Sequence, residues 1–505
     1  MDILERDALE MLSLIRSVKN SGVPINRIPP EVLSLVPDYW NKNETDKDLI
    51  ALTHVCRGWR MIFVSRPSLW SHLDCRNIDK TRAYIDRSKA TPLEIYLGDY
   101  PGKPYTKEAF LLAAPHIGRL RNLTIFTEDI PDVINYFFCR TPLLEELSVT
   151  VFSPPVLTLS SAFLDGDLSS LRKLSLRGVI THLPCKNMPN LTTFALSSFP
   201  KDQITVTQLL NFFESAPLLH TIKFEYSIPD SSDAPPGRVL SLPCLKELTI
   251  NAYPAHSILL NHLSIPSGTS LILGCGFGGD TSLIPDYLPK PSENIKPLSR
   301  VTTINLLFDA KYKCLRLDGP DGETYVRGRV LLDEATPSHV VNCRILRSLN
   351  QSILSTTKWL AISKLILLQP VLVDESQVFH TLRSTNNLRA LVLTECYNRP
   401  FILALNPNQN LSNLIVCPKL EDLALCIGDW ISFPTEDVLS MVEARGLRGT
   451  KLSSLTIIAT RDVVPGREVL KLREHVGRMD FKVGDVLPDW DSLPDGVSYG
   501  RYEDK

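Results

Sequence analysis

The spelling L-x-x-L-x-L, with Ile or Val standing in for Leu, recurs along this 505-residue chain and constrains its fold more than any other feature. It begins at Leu120, Leu144, Leu171, Leu191, Leu219, Leu245, Val301, Ile362, Leu388, Leu420 and Leu452. Apart from wide gaps after Leu245 and Val301, neighbouring starts lie about 20 to 32 residues apart, the period of architectures in which each unit is a strand plus a return segment. Alternating apolar residues of each strand point to one side, and no unit alone can cover them. The units must therefore stack, burying a shared interior and aligning their strands in a parallel sheet on one face.

The return segments carry their own signals. Helical spacing is predicted over Lys107 to Ala114, Asp132 to Cys139, Thr207 to Ser215, Ser376 to Arg383 and Glu436 to Ala444. A proline stands two residues before the first repeat leucine at Pro142, Pro189, Pro217, Pro243 and Pro418. Proline there is expected to end a helix and release an extended segment. In the two gaps, Ser270 to Gly274 reads as a degenerate strand. Cys314 to Leu317 and Val326 to Leu332 read as two runs joined by a D-G-P-D-G-E turn, a hairpin that departs from the repeat. Pro285 to Pro297 reads as an exposed loop, Pro465 to Val476 as a basic capping helix, and the acidic stretch from Asp485 as extended.

Ahead of the repeats lies a stretch of different character, Ile28 to Trp70. Pro29 and Pro30 suit the first turn of a helix, Glu31 complements its positive end, and Pro37 stops it early. Thr45, three residues before Asp48, fits a cap for a second helix. On that helix Leu49, Leu52, Val55, Cys56, Trp59 and Ile62 share one face, with Arg57 and Arg60 on the other. Some forty residues cannot enclose much of a core unaided, so part of this face is expected to meet something else. Residues 1 to 20 form a further amphipathic helix, with Leu4, Ala8, Met11, Leu12, Ile15 and Val18 on one side. It is expected to pack on the neighbouring segment or on the repeats.

The I-P-P-E-V-L start at Ile28, the V-C-x-x-W of Val55, Cys56 and Trp59, and the closing Leu69 and Trp70 resemble an F-box. With the repeats, the chain resembles F-box proteins carrying leucine-rich repeats, especially the divergent kind abundant in mushroom-forming fungi. The resemblance implies an α/β architecture: a small N-terminal helical F-box-like unit followed by a curved leucine-rich-repeat solenoid with a parallel sheet on one face. The expected divisions are residues 1–24 (amphipathic helix), 25–75 (F-box-like), 76–117 (linker and cap), 118–482 (irregular repeats) and 483–505 (acidic tail). In that family the F-box docks a Skp-type adaptor and through it a cullin, while the repeats hold a protein substrate. The residues implied in adaptor binding are Ile28, Pro29, Pro30, Glu31, Leu33, Leu49, Leu52, Val55, Cys56, Trp59, Leu69 and Trp70. Pro37, which shortens the first helix, and the long polar loop depart from the family pattern, and both bear on the adaptor contacts of Tyr39 and Trp40.

Bulk properties narrow the partners. Lys and Arg number 54 against 56 Asp and Glu, so no global field favours nucleic acid or an anionic membrane. No apolar run is long enough to span a bilayer. The 11 cysteines include no C-x-x-C pair and the first segment is not a secretory signal, which points to a reducing, intracellular setting, cytoplasmic or nuclear.

Catalytic signals are thin. Gly274, Gly276 and Gly279 spell G-x-G-x-x-G, but the prolines that follow do not permit the helix a dinucleotide fold needs, so a turn or bulge is expected. Ser170 to Lys173 spells S-x-x-K on a repeat surface, and no histidine or cysteine spacing suggests a metal. No cofactor or enzyme activity is expected. Two functions fit: a substrate-recognition subunit of a cullin-type ubiquitin ligase, or a plain interaction scaffold whose helical unit caps the repeats internally. Arg172, Lys173, Lys246, Glu247, Glu421 and Asp422 occupy the variable strand positions that could face a target or simply water.

Overall fold

The computed structural model describes residues 3–39, 45–98, 106–127, 141–152, 157–158, 168–180, 183, 188–198, 204–225, 229–230, 232–251, 259–277, 294–308, 312–319, 324–332, 353–354, 357–364, 374–394, 399–427, 434–459 and 467–483. The chain divides into two compact units, Met1–Phe199 with Ser215–Pro217, and Pro200–Glu214 with Leu218–Lys505.

The first unit begins with helices α1 (Ile3–Ser21), α2 (Pro30–Ser34), α3 (Thr45–Val55), α4 (Arg57–Val64) and α5 (Ile78–Ser88). Asn77 starts α5 by accepting a hydrogen bond from the Lys80 amide at 2.9 Å. Interleaved with α5 and α6 (Lys107–Ala113) are strands β1 (His72–Leu73), β2 (Leu93–Gly98) and β3 (Leu120–Thr127), followed by β4 (Glu146–Val151), β5 (Lys173–Arg177) and β6 (Thr193–Ser197). These strands pair in parallel in chain order. The second apolar position of successive repeats is in register, Leu123 beside Leu147, Leu174 and Phe194, all buried. Each such side chain contributes about 1.5 to 3 kcal/mol on burial, and only against its neighbours.

The second unit contains α7 (Val206–Glu214) and strands β7 (Thr221–Glu225), β8 (Glu247–Asn251) and β9 (Ser270–Phe277), again parallel. Strands β10 (Thr303–Phe308), β11 (Tyr312–Asp318) and β12 (Thr324–Leu332) follow. The expected hairpin is present: β11 runs antiparallel to β10 and β12, while β12 pairs in parallel with β9. Parallel repeats resume with β13 (Trp359–Lys364), β14 (Ala390–Thr394), β15 (Asp422–Ile427), β16 (Ser454–Ala459) and β17 (Arg478–Val483). Their return segments include α8 (Glu375–Ser384), α9 (Arg399–Leu405), α10 (Thr435–Leu447) and α11 (Arg467–His475).

The prolines act differently from expectation. The amides of Leu144, Leu191, Leu245 and Leu420 each bond the carbonyl three residues earlier, at 3.1 to 3.2 Å. Pro142, Pro189, Pro243 and Pro418 therefore occupy the second position of a β-turn that leads into the strand, where the fixed proline φ is preorganised.

Several expectations need correction. The repeat assigned to Ile362 begins at Thr357, because Leu360 pairs with Ile304 on one side and Leu391 on the other. Thr357 is fully buried in the first leucine position, its hydroxyl donating to Ile353 O at 2.8 Å; Thr269 does the same with Leu245 O at 2.7 Å. A hydrogen-bonded threonine can replace an interior leucine without leaving a polar group unpaired. Beyond the strand at Leu452 lies one more, β17, entered through buried Val476. Gly274 and Gly276 sit inside β9 rather than in a turn or bulge. A methyl at Gly274 would lie 2.3 Å from Asn251 Oδ1, so glycine lets the neighbouring buried amide occupy that space. The readings at 132–139, 285–293, Gly279, the turn 320–323 and the tail from Asp485 lie outside the described residues.

Candidate functional site

The helical region around residues 25–76 is built by side chains that satisfy helix ends. α2 starts as its prolines suggest, with Pro29 as N-cap and Pro30 in the first turn, and it is over by Ser34. The single second helix expected from the apolar spacing is broken. Cys56 is extended (φ −158°, ψ 173°), separating α3 from α4. The break leaves carbonyls at the end of α3 without helical partners, and Arg60 Nε donates to one of them, Thr53 O, at 2.9 Å. In the same way Arg66 donates to Ser34 O at the end of α2, and Trp70 Nε1 donates to Phe63 O near the end of α4 at 2.9 Å.

Turning the chain at Cys56 lets Trp59 and Phe63 face Leu33. These three form a small core, with Leu52, Cys56, Ile62 and Leu69 packed against it. The Trp59 and Phe63 rings meet edge to face, 5.8 Å apart, and Trp59 Nε1 donates to Asn26 Oδ1 at 2.6 Å. Trp70 belongs to the next layer. It is fully buried, edge to face with Tyr84 at 5.0 Å, and the Arg87 guanidinium lies 4.4 Å from its ring centroid. Beside it Asp74 is held by Lys80 and Arg76, at 2.7 and 2.9 Å.

The twelve residues implied in adaptor binding thus divide. Leu33, Leu49, Trp59 and Trp70 are interior; Leu52, Cys56 and Leu69 are half-buried; Ile28, Pro29, Pro30, Glu31 and Val55 are on the surface. Further apolar residues are exposed that the motif did not single out: Val32, Leu35, Val36, Ile50 and Met61. Alternation along α2, with Leu33 inward and Val32 outward, was available as a signal for Val32; the others depended on the break at Cys56 and on where the core closes. The side chains of residues 38–48, including Tyr39, Trp40 and the expected Thr45 cap, lie outside the described ones.

The variable strand positions offer a further candidate surface within each unit. Arg172, Lys173, Lys246, Glu421 and Asp422 are exposed and Glu247 is half-buried. Charges there pair across adjacent strands: Lys173 with Glu146 at 3.9 Å, Glu247 with Lys223 at 2.9 Å and Arg121 with Glu145 at 3.1 Å. Exposed pairs of this kind contribute little stability and leave the groups open to a partner. The S-x-x-K residues are engaged in the repeat, Ser170 Oγ donating to Pro142 O at 2.7 Å and Lys173 facing Glu146. Among the described residues no group of three His, Cys, Asp or Glu is placed to hold a metal, and no helix is long and apolar enough to cross a membrane.

Residues 25–76 match the F-box-like family. The F-box-like segment therefore coincides with the capped helices and the small core of Leu33, Trp59 and Phe63. No curated protein matches the chain. Among solved structures, the crystal structure of a TLR13-ssRNA13 complex is similar over 72% of this chain and 45% of that one, at 13% identity and a TM-score of 0.29. The chain spans less than half the length of that structure.

Proposed function

We propose that this chain is the substrate-recognition subunit of a cullin-type ubiquitin ligase, working inside the cell. The F-box-like segment docks a Skp-type adaptor, and the variable strand positions hold a target protein. The observation that carries this reading is an apolar surface on the matched segment: Ile28, Val32, Leu35 and Val36 around α2, with Val55 at the break between α3 and α4, are exposed while the segment's own core is closed. Val32 and Val55 are each 54% exposed, whereas a segment serving only as an internal cap would hide them. Leu33, Leu49 and Trp59 then act from inside, fixing the helices that present Ile28, Pro29, Pro30 and Glu31. The chain supplies no catalytic group in this scheme. It raises the local concentration of a target lysine near a ubiquitin-charged partner by tethering both to one assembly.

Binding of the full chain to a purified Skp-type adaptor tests the proposal. The unaltered chain is expected to bind, and the combined Ile28→Asp, Val32→Asp and Val55→Asp variant to lose at least about 100-fold in affinity at unchanged thermal stability, because these side chains are outside the core. Failure of the unaltered chain to bind, or full binding by the variant, overturns it.

A further inference from the structure

Helix α1 was expected to pack on the rest of the chain, yet every side chain from Glu5 to Lys19 is exposed. Met11, Leu12, Leu14, Ile15 and Val18 are among the large apolar residues left in water. A helix of 19 residues with no packed face is marginal in water, so this one is built to be covered. Ala8, Met11, Ile15 and Val18 follow one another at steps of three, four and three, the seam of a two-helix coiled coil.

The charge order selects what covers it. The first half carries Glu5, Asp7 and Glu10 with Arg6, and the second half carries Arg16 and Lys19 with no acid. We infer that the occupant is a second copy of this chain, its α1 laid antiparallel to the first. With the two-fold axis near Ser13, Ile15 meets Met11 of the second copy, Ala8 meets its Val18, and Leu12 and Leu14 meet their own counterparts. Glu5 then falls beside Lys19 of the second copy, and the pair repeats by symmetry. A parallel arrangement would bring the acidic halves to the same end and pair neither Glu5 nor Lys19 with an opposite charge. The same order complements the helix's own dipole, which accounts for the charges but not for the apolar seam. A lipid surface is disfavoured because the polar face is not basic: three acids offset three bases along the helix. The seam is short, so the dimer forms as concentration rises.

Sedimentation velocity on the full chain alone, without adaptor, tests this independently of the ligase reading. From about 1 to 100 μM the chain is expected to pass from monomer to dimer, and Ile15→Asp to remain monomeric. Glu5→Lys and Lys19→Glu should each weaken the dimer roughly fivefold, since each sets like charges together twice. An equimolar mixture of those two variants should recover the original affinity, because both cross-pairs are again opposite in sign. Unchanged melting temperatures confirm that the variants fold. A chain that stays monomeric, a dimer that survives Ile15→Asp, or a mixture that does not recover overturns the inference.

Discussion

Trp59 Nε1 donates to Asn26 Oδ1 at 2.6 Å, tying α4 to the segment that precedes α2. The bond fastens the entry of the F-box-like segment to α4 while the ring itself packs with Phe63 and Leu33.

Replacing Asn26 by Ala should leave the indole N–H of a nearly buried tryptophan unpaired and cost about 1 to 3 kcal/mol. In a Trp59→Phe background the loss caused by Asn26→Ala should be smaller, because the orphaned donor is no longer there. Thermal or urea unfolding of the single and double variants measures both effects; additive losses would contradict the coupling.

Arg445 is fully buried in α10 and donates to Val416 O at 2.8 Å and Cys417 O at 2.9 Å. It thereby clasps the turn before β15, where Cys417 adopts φ +48°. Burial pushes the Cys417 thiol up to about 11, against the smaller downward effects of Thr385 and Arg445. Arg445→Ala should destabilise the fold by at least about 2 kcal/mol, and Arg445→Lys should restore little, since one ammonium does not reproduce a planar fork. Alkylation at pH 8 followed by peptide mass mapping gives the local readout. Cys417 should resist in the native chain and react in the alanine variant.

Asp74, at the junction between the F-box-like segment and the first repeats, predicts an acid dependence. Burial alone would raise its carboxyl, but the hydrogen bond and charge of Lys80, with the bonds from Arg76, outweigh it and hold the group below its ordinary value of 3.8. A carboxylate depressed in the folded state contributes its full stability above the unfolded pKa and loses it as pH falls through the lowered folded value. Asp74→Asn should therefore melt below the native chain at pH 7, with the gap narrowing as the pH is taken below about 4. Melting temperatures across that range decide it, and a constant gap would contradict the assignment.

Much of this architecture was legible in local spelling. Leu144, Leu147 and Val149 announce a strand by their own alternation, and the prolines of α2 announce its start and early end, because these preferences act within a few residues of backbone. Other features depend on what a residue meets. Thr357 and Thr269 hold leucine positions only because a neighbouring carbonyl takes their hydroxyl protons. The start at Thr357, rather than Ile362, follows from pairing with β10 and β14, and Gly274 is explained by an amide on the adjacent strand. The F-box-like motif likewise named its residues without saying which way they point. The turn at Cys56 sends Leu33, Leu49 and Trp59 inside and leaves Ile28, Pro30 and Val55 at the surface. Sequence by itself determined the repeated strands and the helical segment ahead of them, since periodicity is a property of the chain alone; tertiary structure decided register and exposure, since both are set by the neighbour that covers each face.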